Sequence, residues 1–102
     1  MESQNIFNSQ IPLNNVELEN VLLSHPKAKI KKIISPAHFK SEIFCQDVDE
    51  WVCLVQGEAS LQVGRTIRSL KEGDWLFIKA NVEHQITSTS ANPLAIWLAV
   101  YL

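Results

Sequence analysis

Two side chains invite a chemical reading. Glu50 opens DEWVCLVQ, and His84 begins HQITST. Trp51 to Val55 are all apolar, so Glu50 stands at the mouth of a strand that continues into a core. A carboxylate there costs free energy unless a partner takes it up. His84 is either an exposed turn histidine after Asn81 or an inward one; the alternation of His84, Ile86 and Ser88 puts it on the same face as an apolar residue, which argues for the second. A direct hydrogen bond between Glu50 and His84 satisfies both groups. On the residues alone, the favoured reading of Glu50 is a rim carboxylate, or one bonded to a backbone amide or a tryptophan indole. Gln46, beside the QDVD turn, is a surface amide or a pocket contact. Cys45 and Cys53 form no CxxC pair and read as small buried thiols. The chain has no GxSxG elbow, no phosphate-cradling glycine loop and no zinc-type cysteine pair.

These side chains must be held by short strands. From Lys27 onward, runs rich in Val, Ile, Leu and aromatics alternate with turn signals: KIKKIIS, SEIFCQ, EWVCLVQ, ASLQV, TIRSL, DWLFIK, EHQITST and PLAIWLAVYL. This pattern predicts an all-β sandwich or barrel. The gaps are too short for crossover helices, so the sheets are expected to be antiparallel. Trp51–Val55 and Leu94–Val100 are apolar at both parities. Such strands are buried on both faces, the second under another layer or subunit. Before them, NNVELENVLLS has Val16, Leu18, Val21, Leu22 and Leu23, an asparagine to cap its start and Pro26 near its end. A short helix is expected there. Residues 1–12 read as an N-terminal arm and residues 13–102 as one domain.

The segments FCQDVDEWVCLVQGEA and GDWLFIKANVEHQITS resemble the two motifs of the cupin superfamily. The first motif has two histidines one residue apart, a glutamate three or four residues on, and a glycine after six more. Glu50 and Gly57 fit its second half. The second motif has a glycine, five residues, a proline, and a histidine shortly after. Gly73 and His84 fit, with Lys79 in place of the proline, Asn81 in place of a later glycine, and Ser88 in place of the closing asparagine. Both histidines of the first motif are missing; with a three-residue gap their positions fall on Phe44 and Gln46. The resemblance runs from about Ile33 to the C-terminus and is nearest to small single-domain cupins carrying DEWV.

That resemblance implies an antiparallel jelly-roll barrel with its site inside. Glu50 and His84 are then two of the usual four metal ligands, with Gln46 as a weak third. A carboxylate and an imidazole suit zinc, iron, manganese or nickel. Catalytic sites usually supply about three protein ligands plus water, so a metal-free barrel that orients a small organic ligand stands beside the metal reading. Phe44, Trp75 and Ser88 are the candidate ligand contacts. The family's habit, with the two-faced apolar strands, implies a homodimer.

Length and charge limit the alternatives. The 102 residues favour one domain, and 46% hydrophobic with 20% charged residues is ordinary for a globular chain. A formal net charge of -2 and the lack of a long basic block speak against a nucleic-acid partner. LAIWLAVYL is too short to span a bilayer, and MESQNIFNSQ lacks the features of a secretion signal. The expectation is a cytoplasmic protein without a membrane or nucleic-acid partner.

Overall fold

The β-branched and aromatic runs become eight strands in a computed structural model that describes every residue except Met1 and Ser9. They are β1 (Leu18–His25), β2 (Ala28–Ile34), β3 (Glu50–Gln56), β4 (Ala59–Val63), β5 (Thr66–Leu70), β6 (Trp75–Ile78), β7 (His84–Thr89) and β8 (Ile96–Tyr101). A five-stranded sheet in the order β1-β2-β8-β3-β6 faces a three-stranded sheet in the order β5-β4-β7. Every pairing is antiparallel. No helix among the described residues is long and apolar enough to cross a membrane.

The segment expected to be a helix is strand β1. Its apolar spacing suits a helix, but eleven residues make a marginal helix alone. Here β1 pairs with β2 from Leu18↔Ile34 to His25↔Ala28, through a tight turn at Pro26–Lys27. Asn14 and Asn15, expected as helix caps, instead take left-handed φ angles of 58° and 55° in the turn before it. SEIFCQ also differs from expectation: it forms no strand, only one antiparallel bridge between Phe44 and His84.

Register decides which side chains meet. Glu50 lies opposite Tyr101 and Ile78, Val52 opposite Ala99 and Leu76, and Leu54 opposite Trp97. These point between the sheets, where β4 and β7 supply Leu61 and Ile86. Leu54, Ala95 and Ala99 are completely buried there. The alternate set, Trp51, Cys53, Trp75 and Phe77, lies on the outer face. Farther along that face Ile34 and Ile96 are buried too. The N-terminal segment reaches this side: Lys32 Nζ donates to the Asn8 carbonyl at 2.7 Å.

Two glycines of the sequence motifs hold conformations that disfavour side chains. Gly57 has φ +85°, and a Cβ there would come within 2.7 Å of Ser90 Oγ and 3.0 Å of Ala95 Cα. Gly73 has φ +91° in the turn before β6. Asn81 takes φ 65°, and asparagine is among the few non-glycine residues that tolerate that region.

Candidate functional site

The stretch between β2 and β3 builds one wall of the site by running beside β7. Ser41 N and Phe44 N donate to the carbonyls of Ile86 and His84, and His84 N donates back to the Phe44 carbonyl. Asn81 N then holds the Gln46 carbonyl at 2.7 Å. This places Phe44 and Gln46 next to the first residues of β3 and β7.

Glu50 and His84 are both 6% exposed and point into one cavity between the sheets. Gln46 Nε2 donates to Glu50 Oε1 at 2.6 Å, and His84 Nε2 lies 3.4 Å from the same oxygen. Nδ1 of His84 faces the Val82 carbonyl at 3.0 Å, where a ring N–H donates. Nε2 is therefore the nitrogen left for the carboxylate. At 3.4 Å the pair is longer than a charge-assisted hydrogen bond, so a shared proton is held loosely. Burial pushes the His84 pKa down. The hydrogen bond and charge of Glu50, with the Val82 carbonyl, outweigh it, and the net shift is upward.

The cavity has a volume of about 90 Å³, room for roughly three waters at their liquid volume. Ile33, Val52, Leu61, Ile78, Ile86 and Trp97 give it apolar walls. Phe44 lies over one side, its ring centroid 5.8 Å from that of His84. Glu17, Glu19 and Tyr101 complete the lining. Trp97 Nε1 donates to Ser35 Oγ at 2.9 Å, and Ser35 Oγ donates to Glu17 Oε2 at 2.8 Å. Burial raises the Glu17 pKa; the Ser35 bond opposes this and the Glu19 charge adds to it. Burial, with the charges of Glu50, Glu19 and Glu17, holds the Tyr101 phenol far above its ordinary value, so it stays protonated.

The cavity thus brings together Glu50, His84, Gln46 and Phe44, and two other candidates lie elsewhere. Trp75 is on the outer face of β6, 58% exposed, with its ring 5.9 Å from Trp51. It pairs with Cys53, one residue out of phase with the inward Val52. Ser88 is exposed and bonds Ser60. The cause is a bulge: β4 pairs Leu61 with Ile86 but Ser60 with Ser88, so Thr87 is extra and the alternation shifts. Thr89 turns inward instead, its Oγ1 accepting from Phe39 N and donating to the Pro36 carbonyl.

Glu17, Glu19, Trp97 and Tyr101 are lining residues that the motifs did not mark. The signal for the two acids lay in the sequence: in an extended chain, E-L-E puts both carboxylates on one face. Reading that segment as a helix hid them.

The donors fall short of a tight metal site. Glu50 and His84 are two ligands, Gln46 adds a weakly coordinating amide, and the other histidine position holds the Phe44 ring. No group of three His, Cys, Asp or Glu side chains suited to a metal occurs among the described residues.

The Cupin domain model matches residues 33–101. No curated protein matches the chain by sequence. Several solved structures match it in fold. A Ralstonia eutropha JMP134 protein, provisionally assigned as a mannose-6-phosphate isomerase, is 29% identical with a TM-score of 0.84; the match covers 99% of this chain and 97% of that one. An RmlC-like cupin from Shewanella frigidimarina NCIMB 400 is 17% identical with a TM-score of 0.78, covering 97% and 86%. KdgF from Halomonas sp. is 12% identical with a TM-score of 0.78, covering 88% and 81%.

Proposed function

Because the chain belongs to the cupin family, we propose that its barrel interior binds a small organic molecule, oriented by Glu50, His84 and Gln46. One observation carries this reading. A buried carboxylate, imidazole and amide converge on a single oxygen at one end of an otherwise apolar cavity. Apolar walls with a few convergent polar groups are what ligand pockets share. Phe44 closes the side where the family's motif has a histidine. Glu50 and His84 lie 3.4 Å apart, so a ligand group beside them is held where a proton can pass to either.

The sugar phosphate named for the Ralstonia relative does not transfer well. A phosphate wants arginine or lysine, and the lining contains neither.

Fragment screening by NMR tests the proposal. Ligands are expected to shift the signals of His84 and the Trp97 indole, and Glu50→Gln should weaken them. Hits confined to the outer sheet face contradict it.

A second reading has one observation in its favour. The Val82 carbonyl fixes Nδ1 and leaves Nε2 toward a carboxylate, an arrangement that suits metal ligation. In it, Glu50 and His84, helped by Gln46, would hold zinc, iron, manganese or nickel weakly, and the chemistry supplied would be that of a Lewis acid. Elemental analysis of untagged protein separates the readings. Near-stoichiometric metal, lost in both Glu50→Gln and His84→Ala, favours the second; none after metal loading favours the first.

We also propose a homodimer. Trp75 and Phe77 are 58% and 47% exposed on the outer face, and Val21, Leu22 and Leu23 are about half exposed on the edge strand β1. Apolar surface of this extent is a recurring mark of an interface. Sedimentation should give a dimer at micromolar concentration; a monomer there removes the idea. Two free thiols, Cys45 exposed and Cys53 half-buried, suit a reducing compartment and support a cytoplasmic location.

A further inference from the structure

Three carboxylates, Glu17, Glu19 and Glu50, face the one cavity, and no lysine or arginine lines it. Lys31 reaches the edge of this group, and it is engaged. Its Nζ lies 3.0 Å from Glu19 Oε1 and 5.5 Å from the Tyr101 ring centroid. Glu17 receives only Ser35 Oγ, on Oε2; its Oε1 accepts no hydrogen bond from the described residues.

Glu50 adds an independent sign. It is 6% exposed, and both Gln46 and His84 address its Oε1. Its Oε2 accepts nothing from the described residues, yet it is not among sealed, unsatisfied buried atoms, since there are none. That oxygen therefore keeps accessible surface, on a residue that lines the cavity. A carboxylate held this deep with a free oxygen needs a donor from outside the chain.

We propose that the cavity binds a compact primary ammonium ion, whose N–H groups donate to Glu50 Oε2 and Glu17 Oε1 and whose aliphatic body packs on Ile33, Phe44, Ile86 and Trp97. This rests on the small-molecule reading above and adds the sign of the ligand's charge. An anion meets three carboxylates, offset only by the His84 imidazole that Glu50 already engages, so it is disfavoured. A neutral alcohol brings one donor without charge. A quaternary nitrogen brings charge without donors and leaves both free oxygens unsatisfied. The cavity's volume limits the ligand to few heavy atoms.

The test uses three probes with one branched body: 3-methylbutylamine, 3-methylbutan-1-ol and 3-methylbutanoate. Calorimetry gives their affinities, and the His84 ring signals show whether each enters the cavity. The amine is expected to bind about tenfold tighter than the alcohol, as a charge-assisted hydrogen bond implies, with the carboxylate weakest. Glu17→Gln should cost the amine about tenfold and leave the alcohol unchanged. Lys31→Gln should strengthen amine binding, a gain that a misfolded variant cannot mimic. If the alcohol or the carboxylate binds at least as tightly as the amine and shifts His84, the charge assignment is overturned and the cavity reading stands. If none of the three shifts His84, both are overturned. Amine binding that ignores both substitutions overturns the assignment as well.

Discussion

Glu50 and Trp51 are adjacent in sequence and end on opposite faces of one sheet, the carboxylate inward and the indole outward. The carboxylate is 6% exposed between the sheets, while the indole lies outside beside Trp75, itself 58% exposed. Strand alternation forces the separation. The inner face keeps its apolar rule along Val52 and Leu54 and breaks it where Glu50, His84 and Gln46 meet. The outer face breaks the opposite rule over Trp51, Trp75 and Phe77. Such local violations are where folds give up stability for function. The inner one reads as a ligand site and the outer one as a contact surface.

The contrast can be broken most forcefully in the core. Leu54 is completely buried, so Leu54→Ala should destabilise the chain by roughly 2–5 kcal/mol in urea unfolding. If it costs no more than an outer-face substitution, the inner face is not the core.

His84 sharpens the inner side. Its pKa is raised in the folded protein, so the folded state binds the proton more tightly than the unfolded chain. That contribution is complete below the unfolded value of about 6.5 and fades as pH rises through the folded value. The stability gap between wild type and His84→Gln should therefore be wider at acidic than at alkaline pH. A gap that does not vary with pH removes the link to Glu50.

Glu17 should behave in the opposite sense. Burial raises its pKa, so its ionised form is a cost above the folded value. Glu17→Gln should be slightly more stable than wild type at alkaline pH, with the advantage fading on acidification. A loss of stability at every pH would mean that the Ser35 bond outweighs burial.

The smallest effect belongs to the outer face. Trp75→Ser should change the stability of one chain by only about 0.5 kcal/mol, while shifting sedimentation toward the monomer. A large loss in dilute protein would show that Trp75 is core after all.

Much of this organisation was legible in the sequence, because strand periodicity is local. EWVCLVQ, ASLQV and TIRSL coincide with β3, β4 and β5; strand alternation pointed to His84, and the cupin motif spacing, not the neighbouring residues, pointed to Glu50. What was not legible depends on distant partners. NNVELENVLLS has a helical apolar spacing, but pairing with β2 makes it a strand, and only then do Glu17 and Glu19 share a face. Ser88 was misplaced by one residue because the bulge at Thr87 is set by register against β4. Trp75 was assigned from its residue type, whereas its phase against β3 turns it outward.

The account rests on Glu50 and His84 acting as one buried pair. The most direct measurement is the His84 ring titration, followed by NMR in wild type and in Glu50→Gln. The imidazole should titrate above about 6.5 in the wild type; once the carboxylate is gone, burial should pull it down. A His84 that titrates at its ordinary value, and does not move with Glu50→Gln, contradicts the site.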